Sequence, residues 1–465
     1  MRKLIVEDIL KVMNGELLNG DKDLICENFS KDTRNINLGD VYIGIKGESF
    51  DGNAFWKQAF ENGASCVIVS NVHISQGEIE KFADKTIIQV EDSLQALYSI
   101  AKLKRSFYEI PVIAITGSVG KTSTKDIIAS VVSKKYKTLK TQGNNNNNIG
   151  LPFTILKLKD EEALVLEMGM NHLGEISLLS DIAKPDICII TNVGTSHIGN
   201  LGSRENILKA KLEILDGTRN PIVILNNDND MLYKWYEENK GKYNVHTYGN
   251  ENISDLNSKN IVLDKSSSKF ECNVDGENLE IKVPVGGIHF VLNSLCAISV
   301  GKVLKMDKKD IISGIEEFEL TEKRMDILEL KNNIKIINDT YNASLESMKA
   351  SLEYLTTFKE NRKIAVLGDM FELGQYSEKL HEAVGKFVAE KEIDMLICNG
   401  ENSKKIVDSA IENGMDSEKV YHFEDKSEIV NLISEVTVYG DIILFKASNG
   451  MKFFDLVEDF KNILI

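Results

Sequence analysis

The sequence predicts an α/β protein of three domains: a small α/β N-terminal domain, a central parallel-sheet domain around a phosphate loop, and a Rossmann-like C-terminal domain. Three observations predict it. At 465 residues the chain exceeds what one hydrophobic core usually supports. Short β-branched runs alternate with segments of helical period, the pattern of parallel sheets covered by helices. AITGSVGKTS, residues 114–123, sets a glycine turn between one such run and one such helix.

Composition narrows the function classes. A hydrophobic share of 42% supplies several cores, and only five prolines argue against disorder. The formal net charge of −16 repels polyanions, so nucleic acid is excluded as a partner and any phosphate site must be local. Glu7 and Asp8 interrupt the N-terminal apolar stretch, which therefore does not read as a signal peptide. With no apolar run of membrane-spanning length, a cytoplasmic protein is expected. Cys26, Cys66, Cys188, Cys272, Cys296 and Cys398 are scattered without CxxC pairing, which suits reduced core thiols. Nothing resembles a coiled coil or a repeat, and a monomer is expected.

The first domain covers residues 1–108. Residues 38–45 read as a turn and strand, 55–63 as a helix closed by glycine, and 66–69 as a buried strand. Between them DTRNINLGDVYIGIKGESFDGNAF is dense in glycine and charge at strand ends, where ligands tend to be held. Thr33, Arg34 and Lys46 offer a hydroxyl and positive charge to a diphosphate. On spacing alone a hairpin with solvated charges fits equally well.

The second domain, residues 109–320, carries the loop. Residues 112–116 form an apolar strand, and Ile127, Ile128, Val131 and Val132 mark a helix starting near Lys121. Gly117 and Gly120 let the backbone approach an anion, and the helix N-terminus adds its positive dipole end. Lys121 reaches terminal phosphates and the Thr122 hydroxyl can ligate Mg²⁺. The general loop pattern wants glycine at position 115, occupied by Ile115, so this is a compressed variant. Further strands, at 163–166, 186–193 and 221–225, predict a mostly parallel sheet whose ligands collect beyond the carboxyl ends. Glu167, His197 and the run Asn226, Asn227, Asp228 fall there. Beside a phosphate loop, Glu167 and His197 become candidate Mg²⁺ ligands.

Two local anomalies follow. In SRENILKAKLEIL, Ile207, Leu208, Leu212 and Leu215 mark a buried stripe, and Lys211 lies within it while Lys209 points elsewhere. Lys211 either snorkels at the stripe's edge or, buried beside a cation, turns neutral and takes up CO₂ as a metal-ligating carbamate. In TQGNNNNNIGLPFTIL the asparagines are either a polar spacer or uncharged donors and acceptors for an amide- or sugar-bearing ligand.

The third domain, residues 321–465, has strands at 334–337, 363–367, 395–398 and 442–445, with helices at 345–355 and 378–390. Asp339 and Asp369 stand at strand ends. Arg324 at the boundary is either a solvated linker residue or a cation delivered to a nucleotide by a swinging domain.

TGSVGKTS, TQGNNNNNIGLPFTIL, EMGMNHLGEI, TNVGTSHIGNLGSRENILKAKLEIL, NDTYNASLESM and GDMFELG, in this order, closely resemble the Mur ligases, and the resemblance covers nearly the whole chain. The segment with Thr141, Gly143, Asn144, Asn146, Asn147, Ile149 and Gly150 resembles the member that joins D-alanyl-D-alanine to UDP-N-acetylmuramoyl-tripeptide. The resemblance implies an ATP-dependent amide ligase of peptidoglycan precursor synthesis, working through an acyl phosphate with ATP and two Mg²⁺ ions. It implies ATP contacts at Gly117, Ser118, Val119, Gly120, Lys121, Thr122, Ser123, Asn293, Arg324 and Asp339. Metal ligands are implied at Thr122, Glu167, His197 and a carbamylated Lys211, with Lys121, His197 and Lys211 catalytic. A grip on the UDP substrate is implied at Thr33, Arg34, Lys46, Gly47, Asn144, Asn146 and Asn147.

The chain also departs from the family pattern. His289–Phe290 replaces an HN pair, NASL (residues 342–345) replaces NANP, and KASN (residues 446–449) lacks an arginine at Asn449. Phe454 replaces an acidic residue. The last two changes bear on the amine acceptor, so a ligase with another acceptor is one alternative. A non-catalytic ATP-binding scaffold is another.

Overall fold

The computed structural model describes residues 2–47, 49–320 and 324–464. The expected start of the third domain at Thr321 lies outside the described residues.

Three sheets are stacked along the chain. The first runs in the order Gly15–Asn19, Thr86–Val90, Cys66–Ser70, Val41–Ile43, Phe29–Ser30, antiparallel only in its first pair. The segment read as one helix at 55–63 divides into a 3₁₀ turn, Gly52–Phe55, capped by the Asp51 side chain, and an α-helix, Trp56–Glu61. The helix Ser93–Ser106 then packs on Gly150–Leu156 and Glu175–Ala183. Arg105 Nε donates to the Ala183 carbonyl at 2.8 Å, tying the first sheet's last helix to the second unit.

The second sheet has nine strands. The phosphate-loop strand Val112–Thr116 lies between Ala163–Glu167 and Ile187–Ile190, all parallel and buried at every residue, as strands covered on both faces must be. Register decides the site. Ile115 pairs with Glu167 and Thr116 with Ile190, so three neighbouring strands release their loops at one level of one edge.

Beyond the parallel strands the sheet gains an antiparallel meander that the sequence reading lacked: Leu256–Leu263, Ser268–Val274 and Glu277–Val283. Ser268–Val274 buries every second residue, and Asp275 and Gly276 close the hairpin with φ of 52° and 86°. That pair of positive angles is what a two-residue turn needs to match strand twist.

The third sheet follows the order Asp326–Glu329, Lys335–Asn338, Ile442–Lys446, Lys363–Gly368, Met395–Asn399, Val420–Phe423, antiparallel only at its first pair. Ile442–Lys446 and Met395–Asn399 are buried throughout. The carboxyl ends of Lys335–Asn338 and Ile442–Lys446 bring Asp339 and Lys446 toward the edge of the second sheet. All six cysteines are buried free thiols.

Candidate active site

The turn after Val112–Thr116 is clamped by the neighbouring strand end. A side chain at Gly117 would place its Cβ 1.9 Å from Thr191 Oγ1, so only glycine fits. Gly120 caps the helix Lys121–Val132 in the left-handed region, at φ 80°. Asn192 takes the Ser118 amide on its carbonyl at 3.0 Å and the Val119 amide on its side chain at 2.9 Å. Thr191 and Asn192 both donate to the Val119 carbonyl, and the Gly194 amide donates to Ser118 Oγ at 2.9 Å. The first bond into the helix runs from the Thr124 amide to the Gly120 carbonyl. The amides of Lys121, Thr122 and Ser123 therefore point out of the helix end, the arrangement that binds phosphate.

Lys121 folds back over this turn, donating to the carbonyls of Gly117 at 2.8 Å and Ser118 at 3.3 Å. Burial and the Arg324 charge lower its pKa, against the pull of Glu167. Thr124 donates to Asn293 Oδ1 at 3.0 Å, which fixes the Asn293 amide beside Gly120.

Glu167, 2% exposed, ends the adjacent strand. Its Oε2 accepts from Thr122 Oγ1 at 2.8 Å and its Oε1 from Asn146 Nδ2 at 2.8 Å. Two hard oxygens at hydrogen-bond distance beside a phosphate-binding helix end suit Mg²⁺, which keeps several water or phosphate ligands rather than a full protein cage. No cluster of three or more His, Cys, Asp or Glu ligands occurs among the described residues. His197 lines the same cavity and sits at φ 62°.

The helix Arg204–Leu212 corrects the expected stripe. Ile207, Ala210, Lys211 and, beyond the helix, Ile214 are fully buried, a spacing of three, four and seven, whereas Leu208, Leu212 and Leu215 are only partly covered. Lys211 is thus at the stripe's centre, 1% exposed. Burial and the Lys121 charge push its pKa well down, opposed by Glu346. The amine is held toward its neutral form.

The third sheet closes the cleft, and here sequence reasoning missed most of the partners. Arg324 donates to Thr122 Oγ1 at 3.0 Å and stacks its guanidinium 3.7 Å over the Tyr341 ring. Tyr341 in turn donates to Asn144. Glu346, in the first turn of Leu345–Leu355, accepts from Thr195 Oγ1 at 3.0 Å. Glu372 meets His197 Nδ1. Asp339 accepts from Lys446 and from Ser351 Oγ, the latter at 2.6 Å. Burial raises the Asp339 pKa, but Lys446, Ser351 and Arg324 outweigh it and hold the carboxyl below its usual range. His289 is pushed down to about 4 by burial and is neutral at pH 7.

Most of these groups, though not Glu372 or Thr195, line a cavity of about 540 Å³, within the range of small-molecule sites. Ser118 to Ser123, Asn144, Asn146, Asn147, Glu167, His197, Asn293, Arg324 and Asp339 all reach it, while Lys211 does not form its lining. Asn147 spends its side-chain oxygen on capping Gly150–Leu156, accepting from the Gly150 amide at 2.8 Å. Asp228 accepts from the amides of residues 250–252 and anchors a turn. Asp369 likewise accepts from the Ser403 amide at 2.7 Å.

The first-domain candidates stay outside the cavity. Thr33 and Arg34 lie on the 3₁₀ turn Thr33–Asn35, where Thr33 Oγ1 donates to Gln58 at 3.3 Å and Arg34 pairs with Asp32 at 2.7 Å. Lys46 and Gly47 are exposed nearby, Lys46 bridged through its backbone to Asp51.

Comparison with known proteins gives one answer along the whole chain. The Mur ligase family, catalytic domain, matches residues 28–105; the Mur ligase middle domain matches 115–301; and the Mur ligase, glutamate ligase domain matches 323–449. UDP-N-acetylmuramoyl-tripeptide--D-alanyl-D-alanine ligase of Bacillus subtilis (strain 168) is 35% identical over 463 residues, covering 99% of this chain and 98% of that one. MurF from Acinetobacter baumannii superposes with a TM-score of 0.87 at 28% identity over 99% of both chains. MurF from Thermotoga maritima, solved in complex with ADP, superposes with a TM-score of 0.83 at 30% identity over 96% of this chain and 99% of that one.

Proposed function

The chain belongs to the Mur ligase family, and from that membership we propose that it joins D-alanyl-D-alanine to UDP-N-acetylmuramoyl-tripeptide with ATP, in peptidoglycan precursor synthesis. The observation that carries this reading is the juxtaposition of phosphate loop, Thr122–Glu167–Asn146 network and third-domain Arg324 and Asp339 in one cleft. Residues 1–108 are read as the holder of the UDP substrate, 109–320 as the ATP domain and 321–465 as the ligase domain. Thr33, Arg34, Lys46 and Gly47, with the asparagines, are proposed as the grip on that substrate.

The tripeptide carboxylate attacks the γ-phosphorus of ATP, the bond to the bridging oxygen breaks, and ADP leaves. The product is an acyl phosphate. The dipeptide amine attacks its acyl carbon and gives up a proton, and the tetrahedral adduct expels orthophosphate to leave an amide. Lys121 and the amides of Lys121, Thr122 and Ser123 meet the negative charge that builds on the phosphoryl oxygens. Asn293 holds the adenine end of the cleft and Arg324 the phosphate end. The cleft orders three reactants and keeps water from the acyl phosphate. Thr122, Glu167 and His197 would hold Mg²⁺, which supplies further charge neutralisation when bound.

Lys211 is proposed to act as its carbamate. Its neutral amine attacks CO₂, forming an N–C bond and releasing a proton, and the resulting anion is attracted to the Lys121 charge. A carbamate there would extend the metal-ligand set. The enzyme is read as a monomer working in the cytoplasm; no helix among the described residues is long and apolar enough to cross a membrane.

One feature favours a second reading of the acceptor. Asn449, where the family pattern has arginine, is exposed at the start of the turn Asn449–Met451 and offers no charge to a dipeptide carboxylate. The test is orthophosphate release from ATP with UDP-N-acetylmuramoyl-tripeptide and a panel of amines. Release that requires D-alanyl-D-alanine supports the first reading. Release with another amine alone replaces it with the second, and no release with any amine removes the ligase assignment.

A further inference from the structure

Charged side chains of the third domain reach into the second-domain site, and two of them touch proposed metal ligands directly: Arg324 donates to Thr122 Oγ1, and Glu372 faces His197. Glu372 places a carboxylate oxygen against His197 Nδ1. The surrounding backbone is built for that meeting. His197 and Glu372 both stand in the left-handed region, at φ 62° each, a conformation non-glycine residues adopt only when their surroundings enforce it. The Gly199 amide donates to the Glu372 carbonyl at 2.9 Å. A Cβ at Gly199 would lie 2.6 Å from both that carbonyl and the Gly374 nitrogen, so the two loops meet too closely for any side chain. Tyr376 adds a hydrogen bond to the Gly202 carbonyl at 2.6 Å. The loop of residues 371–376 is thereby clamped on the short helix Ile198–Leu201, immediately after His197.

A histidine that ligates a metal through one ring nitrogen commonly offers the other to a carboxylate, which fixes the ring and raises the ligand's basicity. With Nδ1 facing Glu372, Nε2 is the nitrogen left for a metal in the cavity that His197 lines. We infer that Glu372 is a positioning residue for His197, so that a carboxylate on the third domain orients a metal ligand on the second. The inference rests on reading His197 as a metal ligand. It makes metal affinity and closure of the third domain two faces of one equilibrium, since each favours the other by the same factor.

Mn²⁺ serves as the probe, titrated into the full chain with saturating ADP and followed by the electron paramagnetic resonance signal of the free ion. Glu372→Ala is expected to weaken Mn²⁺ binding about tenfold or more, without changing metal-free ADP affinity. Glu372→Gln, which keeps the shape and an acceptor oxygen, is expected to recover part of that loss and guards against a folding defect. In a His197→Ala background, Glu372→Ala is expected to add nothing. Unchanged Mn²⁺ affinity in Glu372→Ala, or an equal loss with and without His197, overturns the inference. If His197→Ala alone leaves Mn²⁺ affinity unchanged, the ligand reading of His197 fails and the inference falls with it. If His197→Ala weakens Mn²⁺ and Glu372→Ala does not, only the inference falls.

Discussion

The phosphate loop and the first-domain segment around Arg34 use the same residue types, glycine, hydroxyl and base, yet they are held in opposite ways. Around the loop, Thr191 and Asn192 take up the free groups of Ser118 and Val119, and Glu167 is bound on both oxygens. Arg34 keeps a side chain 84% exposed that pairs with Asp32, two residues away. The difference matches the two tasks proposed for them. Charge that develops on a reacting phosphoryl group must be met by donors already in place. A grip on a large substrate needs only to be reachable, and it gains its order when the substrate arrives.

The comparison breaks first at Lys121. Lys121→Ala is expected to lower the rate of ATP turnover about 1000-fold, with the fold intact by circular dichroism. Near-normal turnover would remove the loop from the mechanism. Lys211 comes next, with effects of opposite sign on activity and stability. Lys211→Ala is expected to lower turnover about 100-fold, with partial rescue by formate or acetate. Lys211→Met, which replaces a buried amine by an apolar chain of similar size, is expected to raise unfolding stability by about 1–3 kcal/mol. Unaltered activity in the alanine variant would discard the carbamate.

The buried cleft is also expected to respond to acid where the exposed segment does not. His289 titrates at about 4 in the folded protein against an ordinary value near 6.5. Between those values the unfolded chain binds the extra proton, so stability is complete above pH 6.5 and falls as pH drops toward 4. The loss approaches about 3 kcal/mol below both values, and His289→Asn should flatten it in urea titrations across that window. The smallest effect is at the segment itself. Arg34→Ala should raise KM for the UDP substrate several-fold and leave both kcat and Tm unchanged, because the Arg34–Asp32 pair is solvated. A fall in kcat would show that the segment is part of the chemistry.

These differences also mark what could be read from sequence. The phosphate loop was legible because its chemistry is local: glycines, lysine and threonine act within ten residues of one strand-helix turn. Lys211 was legible as an anomaly because helical period alone put it among apolar neighbours, although the stripe proved to run through Ala210 and Ile214 rather than the leucines. The asparagine run shows the limit. Composition offered its members as a polar spacer or as ligand donors, and gave no sign that Asn146 binds Glu167 or that Asn147 caps a helix, roles fixed by packing and by local capping. Glu346 and Glu372 were invisible for the same reason, since their partners lie more than 150 positions away in the chain. The meander at 256–283 did leave a signal: every second residue apolar on both sides of Asp275–Gly276.

The most direct test of the account is a calorimetric titration of the full chain with a non-hydrolysable ATP analogue in the presence of Mg²⁺. One nucleotide site is expected, strongly weakened by Lys121→Ala and dependent on Mg²⁺ through Glu167. Absence of binding heat in the unsubstituted protein, or equal affinity in the Lys121→Ala variant, would contradict the claim that this loop holds the triphosphate.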